Sequence, residues 1–174
     1  MIAAGRYTWQ KGFDLLIIAW KIIFKKHPDW ILDIYGAGNP DFYRQLAKSN
    51  GIASVVRCHN ATSDIYSKYA ESSIFVLSSR FEGFGLVLAE AMATGLPVIS
   101  FRCPCGPEDI VTNGTDGILI ENGNIEKMSK AICYLIENET IRKDMGKKGI
   151  ISAERFREEH IMQKWIELFC SLDH

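Results

Sequence analysis

A chain of 174 residues that is 47% hydrophobic can bury roughly 70% of the surface its unfolded form exposes, so a single domain needs no disulfide or metal to hold it together. A formal net charge of −1 supplies no basic field for nucleic acid, and no apolar run reaches the roughly 18 to 20 residues that cross a bilayer. Five cysteines, an odd number at irregular spacings, fit a reducing cytoplasm better than a disulfide framework.

Residues 2–5 read as a short buried strand leading straight to Gly5-Arg6, and from this abrupt entry the chain is expected to be a domain cut from something longer. Over 13–27, Phe13, Leu16, Ile17, Trp20, Ile23 and Phe24 share one helical face that His27-Pro28 closes, with His27 a cation at the helix end. A strand over 30–35 runs out into Gly36-Ala37-Gly38, the kind of exit found at the ligand edge of open parallel sheets. A helix over 41–49, a strand over 55–58, a helix over 63–70 capped by Thr62 or Ser63, and a strand over 73–77 follow. Beyond a central helix come strands at 97–101 and 117–120, a helical turn at 107–111, and helices over 125–137, 139–149 and 158–172.

Strands and helices alternating through short links specify an α/β fold, a Rossmann-like parallel sheet with helices on both faces. Cys103-Pro104-Cys105 lacks C-x-x-C spacing, and His27, His59, His160 and His174 show no ligand spacing, so no metal site is expected. Arg142, Lys143, Asp144, Lys147 and Lys148 form a solvated helix face.

The chemistry concentrates in Ser78 to Gly95, SSRFEGFGLVLAEAMATG, where an apolar strand meets a helix through a glycine-rich turn. Glu82 lies in the turn, and Glu90 lies roughly 7 to 8 Å along a helix that starts near Gly85. The free amides of Phe84, Gly85, Leu86 and Val87, with the positive end of the helix dipole behind them, can bind an anion or phosphate. A plain turn followed by a solvated glutamate is the simpler reading. Against it stands a helix apolar nearly all round, in which Glu90 needs a reason.

These residues resemble a known family. EGFGLVLAE, followed by EAMATGLPVIS, is similar to the E-x7-E signature of retaining glycosyltransferases of family 4, with GRYTWQKGFDLLIIAW before it and CGPEDI after it in the family's order. The resemblance covers nearly the whole chain. It implies that residues 1–174 are the C-terminal, donor-binding half of a GT-B enzyme, that the acceptor-binding N-terminal domain lies outside the chain, and that a helix over 156–174 crosses back to it. The enzyme would transfer a hexose from a nucleoside diphosphate sugar, with retention of configuration, to a glycan or lipid-linked saccharide in polysaccharide or lipopolysaccharide synthesis. Its setting would be the cytoplasm, with peripheral association at the inner face of the membrane.

By the same resemblance Gly5, Arg6, Lys11 and Gly12 hold the donor diphosphate, Glu82 faces the donor sugar and the reacting side, and Glu90 accepts hydrogen bonds from the ribose hydroxyls. The amides of Phe84, Gly85 and Leu86 contact phosphate or sugar, and the base lies near Arg57, Cys58, His59 and Asn60. The CGPEDI loop looks like that of UDP-hexose transferases, with Asp109 where glutamate is usual. No D-x-D occurs in the chain, so no metal cofactor is expected: Arg6 as a bidentate fork and Lys11 as a point charge must neutralise the leaving diphosphate. A nucleotide-sugar epimerase of the same fold would need a further set of carboxylates and histidine that the sequence does not show. A non-catalytic nucleotide-binding module is the other alternative, and the joint presence of Arg6, Lys11, Glu82 and Glu90 argues against it.

Overall fold

Short segments rich in Ile, Val, Leu and Phe, punctuated by glycine and proline, form strands, and the amphipathic stretches between them form helices. The computed structural model describes residues 1–172. The strands are β1 (Ile2–Ala4), β2 (Leu32–Gly36), β3 (Val56–Asn60), β4 (Phe75–Leu77), β5 (Val98–Phe101) and β6 (Gly117–Ile120). The helices are α1 (Phe13–Phe24), α2 (Asp41–Ser49), α3 (Ile65–Ala70), α4 (Leu86–Ala93), α5 (Pro107–Ile110), α6 (Ile125–Glu137), α7 (Glu139–Ala153) and α8 (Glu158–Leu172). Single 3-10 turns at Trp9–Lys11 and Glu154–Phe156 precede α1 and link α7 to α8.

The strands make one six-stranded, all-parallel sheet in the order β3-β2-β1-β4-β5-β6. Parallel neighbours need crossovers, which put helices on both faces and bury the strands from either side. Successive strand residues alternate between two cores: Ala3 and Val76 join α1, α2 and α6, while Ile2, Ala4, Phe75 and Leu77 join α3 and α4. The period of two along each strand is what sorts them. The α/β class and the two-sided helical cover are as the sequence implies.

Several boundaries move, each for a local reason. The first helix ends at Phe24, and His27 sits beyond it, its Nε2 3.1 Å from Glu137 Oε1 at the end of α6. The cap of α3 is Asp64 rather than Thr62 or Ser63; the Thr62 hydroxyl instead accepts from the Asp64 amide at 3.1 Å. The helix expected to stop at Gly149 runs on to Ala153. Its glycines are packing positions: a Cβ on Gly146 would stand 2.1 Å from the Gly95 carbonyl oxygen, so only glycine lets α7 cross so close to the end of α4.

The sheet order reverses between β1 and β4. Crossovers run one way through β2 and β3 and the other way through β5 and β6, and the crevice outside the carboxyl ends at such a switch point is where open α/β sheets bind ligands. Among the described residues no helix is long and apolar enough to cross a membrane.

Candidate functional site

The loop from Gly5 to Gly12 leaves β1 at the switch point and is fixed from both sides. The Gly5 amide donates to Tyr35 O at 3.0 Å and the Tyr7 amide to Ala37 O at 2.8 Å. The Tyr7 hydroxyl lies 2.7 Å from Ile34 O and 2.8 Å from His59 O, and burial pushes its pKa upward. On the β4 side, Arg80 grips Asp14 with bonds of 2.9 and 2.7 Å and lies 4.5 Å above the Trp9 ring. Burial alone would raise the Asp14 carboxyl, but the Arg80 hydrogen bonds and charge outweigh it and hold it below its ordinary range. Gly12 closes the loop at φ 61°, where a Cβ would stand 2.0 Å from Ser78 O.

Two groups of side chains result. The first lines a cavity of about 280 Å³ at the carboxyl ends of β1, β2 and β3. Gly5 and Arg6 come from the β1 loop, Tyr35 to Ala37 from the end of β2, and Ala61 and Thr62 from the exit of β3. Ile65 and Tyr69 of α3 and Val87 and Glu90 of α4 complete it. Arg6 and Glu90 are its charged residues, set among apolar walls.

The second group lies beside α4. Lys11 Nζ is 2.7 and 3.0 Å from the two Glu82 carboxylate oxygens, and Ser79 Oγ donates to the same carboxylate at 2.5 Å. Both charged side chains are largely buried, 13% exposed for Lys11 and 6% for Glu82. The Glu82 amide donates to Pro104 O at 3.1 Å, which draws in the following loop. Burial, and then the Glu82 charge, push the Cys103 thiol up to about 11. Gly85, at φ 91°, starts α4, and among the described residues the amides of Phe84, Gly85, Leu86 and Val87 have no backbone acceptor.

Of the residues expected at the site, Gly5, Arg6 and Glu90 line the cavity. Lys11, Gly12, Glu82, Phe84, Gly85 and Leu86 do not; they form the neighbouring rim, where Lys11 meets Glu82 instead of standing with Arg6. His59 and Asn60 are also off its walls. The reason is length: β3 continues through Asn60, two residues past the expected end at 58, so Ala61 and Thr62 stand at the strand's exit. His59 instead stacks on Tyr35, with ring centroids 4.4 Å apart, and its Nε2 lies 2.7 Å from Asp33 Oδ1.

Sequence reasoning misses Tyr35, Ala61, Ile65 and Tyr69 in the wall, and Ser79 on Glu82, and singles out Val87 for its amide alone. A signal for the helical ones exists, since Ile65 and Tyr69 are four apart and Val87 and Glu90 three apart, one turn in each helix. Among the described residues no cluster of three or more His, Cys, Asp or Glu side chains is placed to hold a metal ion.

Residues 1–151 match the family described as "Glycosyl transferases group 1". Over 166 residues the chain is 37% identical to an uncharacterized glycosyltransferase of Haemophilus influenzae, covering 95% of this chain and 47% of that protein. The fold matches a Staphylococcus aureus TarM variant, crystallised with Fondaparinux, alpha-GlcNAc-glycerol and UDP, with a TM-score of 0.89 at 30% identity, over 97% of this chain and 35% of that one. It also matches the C-terminal domain of the group 1 protein LpcC from Francisella tularensis, with a TM-score of 0.79 at 28% identity, over 88% of this chain and 83% of that one. The chain spans about half or less of the length of the curated relatives it matches. By sequence and by fold it belongs to the glycosyl transferases group 1 family, as a domain of the GT-B type.

Proposed function

We propose that this domain binds the sugar nucleotide of a retaining glycosyltransferase of family 4. The protein it belongs to would transfer a hexose from a UDP-hexose to a glycan or lipid-linked saccharide, in polysaccharide or lipopolysaccharide synthesis at the inner face of the cytoplasmic membrane. One observation carries the reading: a single cavity at the switch point has Arg6 and Glu90 as its charged groups and apolar walls between them. Those are the demands of a nucleoside diphosphate. An arginine fork suits two phosphate oxygens, an acceptor-only carboxylate suits a vicinal ribose diol, and apolar walls suit a base. UDP in the TarM crystal supports uridine as the base.

Beside the cavity, Lys11 and the free amides at the start of α4 add positive potential for the leaving diphosphate, so the chemistry proceeds without a metal. Glu82 then turns to the sugar hydroxyls on the reacting side. Because Lys11 is already paired with Glu82, an arriving diphosphate exchanges one carboxylate partner for a phosphate. The acceptor is held by an N-terminal domain, against which the exposed Trp165, Ile166 and Phe169 of α8 pack. The domain by itself binds nucleotide weakly and does not transfer sugar.

A thermal-shift panel with UDP, GDP and ADP tests the reading. Ligand at ten times its dissociation constant adds about 1.4 kcal/mol, or about 3 to 5 °C for a domain of this size. A shift with UDP that exceeds those with GDP and ADP is expected. Equal shifts with all three would remove the uridine assignment, and no shift with any would remove the nucleotide site.

A further inference from the structure

The cavity wall holds a buried hydroxyl on Tyr69. Tyr69 is 0% exposed, and among the described residues its hydroxyl has no hydrogen-bond partner. A buried, unsatisfied hydroxyl destabilises a fold, and native proteins keep few of them without a reason. The ring cannot turn away to find one. Its edge is packed against Phe75, with centroids 5.6 Å apart, and against Tyr66 at 6.1 Å.

Tyr69 stands where α3 packs on α4, in the wall of the same cavity as Glu90. Burial first, and then the charge of Glu90, push the Tyr69 hydroxyl's pKa upward, so the carboxylate lies within electrostatic reach of it. Glu90 is partly exposed on a flexible side chain, whereas Tyr69 is fixed. Glu90, in the wall of the same cavity, is the carboxylate placed to give the hydroxyl an acceptor. An ionised carboxylate offers about four lone-pair positions, so a vicinal diol occupies two and leaves room for an inner donor.

We infer that Tyr69 is a positioning residue for Glu90, its hydroxyl donating to the carboxylate and fixing the orientation in which a ribose diol is received. The inference rests on the reading of the cavity as a nucleoside diphosphate site. It adds a specificity element: selection for ribose with both hydroxyls comes from the Tyr69–Glu90 pair, through Glu90 held in one rotamer.

The test is calorimetric titration of the wild-type chain and of Tyr69→Phe with UDP and with 2′,3′-dideoxy-UDP. The substitution keeps the packed ring and removes only the hydroxyl. Tyr69→Phe is expected to be at least as stable as wild type, because an orphan polar group is gone, yet to bind UDP roughly tenfold more weakly, equivalent to about 1.4 kcal/mol. Its affinity for dideoxy-UDP should equal that of wild type. Unchanged UDP affinity, or the same loss for both ligands, would overturn the inference while leaving the cavity assignment standing. Failure of the wild-type chain to bind UDP at all would overturn the cavity assignment, and this inference with it.

Discussion

Glu82 is held by Lys11 and Ser79 in a place where a carboxylate has little water. Removing one partner of a buried pair leaves the other charge uncompensated. Lys11→Met should therefore lower stability by about 3 kcal/mol, the low end for such pairs because Lys11 keeps 13% of its side-chain surface exposed. A urea unfolding curve measures it, and adding Glu82→Gln should restore part of the loss, since the two sites couple. Cys103 makes a pH prediction. Its folded-state pKa of about 11 lies above the ordinary 9.0, so the protonated thiol is favoured in the folded chain. That stability is fully present below pH 9 and is lost as pH rises from 9 to about 11. Cys103→Ala should flatten the decline in unfolding midpoint over that range. At this scale, Gly5, Arg6 and Glu90, which the resemblance to the family's motifs points to, line the cavity. Tyr69 and Ala61 were not legible in the sequence: periodicity shows which face of an element is apolar, and not which distant element that face meets.

Among the elements, the helices were the most readable, since α1, α2 and α6 each carry an apolar stripe at a period of 3.6. The errors arose where one residue type serves two purposes. A glycine reads as a helix stop, but in α7 it marks the close crossing over the end of α4. The polar His59 and Asn60 suggest a strand that ends at Cys58, whereas the pairing with β2 continues to Gly36 opposite Asn60. With those two further residues in the strand, Ala61 and Thr62 stand at its exit and line the cavity. Two predictions belong here. Gly12→Ala would put a Cβ 2.0 Å from Ser78 O at φ 61°, so a loss of about 1 to 3 kcal/mol is expected in the urea midpoint, with UDP binding weakened as the loop shifts. Deleting α8 after Arg157 should change the midpoint of the remaining domain by less than about 1 kcal/mol, because the residues of α8 from Glu159 to Leu172 are all exposed. A larger loss would show that α8 packs on this domain.

At the scale of the whole molecule, the sheet order β3-β2-β1-β4-β5-β6 sets the site. The parallel α/β class was legible from alternation alone. The order was not, because strands of three to five residues carry too little pattern to say which neighbours which. That order brings the exits of β1 and β4 together, and with them a loop bearing Arg6 and a helix bearing Glu90 that lie far apart in the chain. The cavity between them is the proposed nucleotide site. The most direct measurement is a UDP titration followed by amide chemical shifts in the isotope-labelled chain. The largest changes are expected on Gly5, Arg6, Ala61, Thr62, Tyr69 and Glu90, and Glu90→Ala is expected to abolish them. Changes centred on the α7 surface around Lys143, or no localised change at saturating UDP, would contradict this assignment.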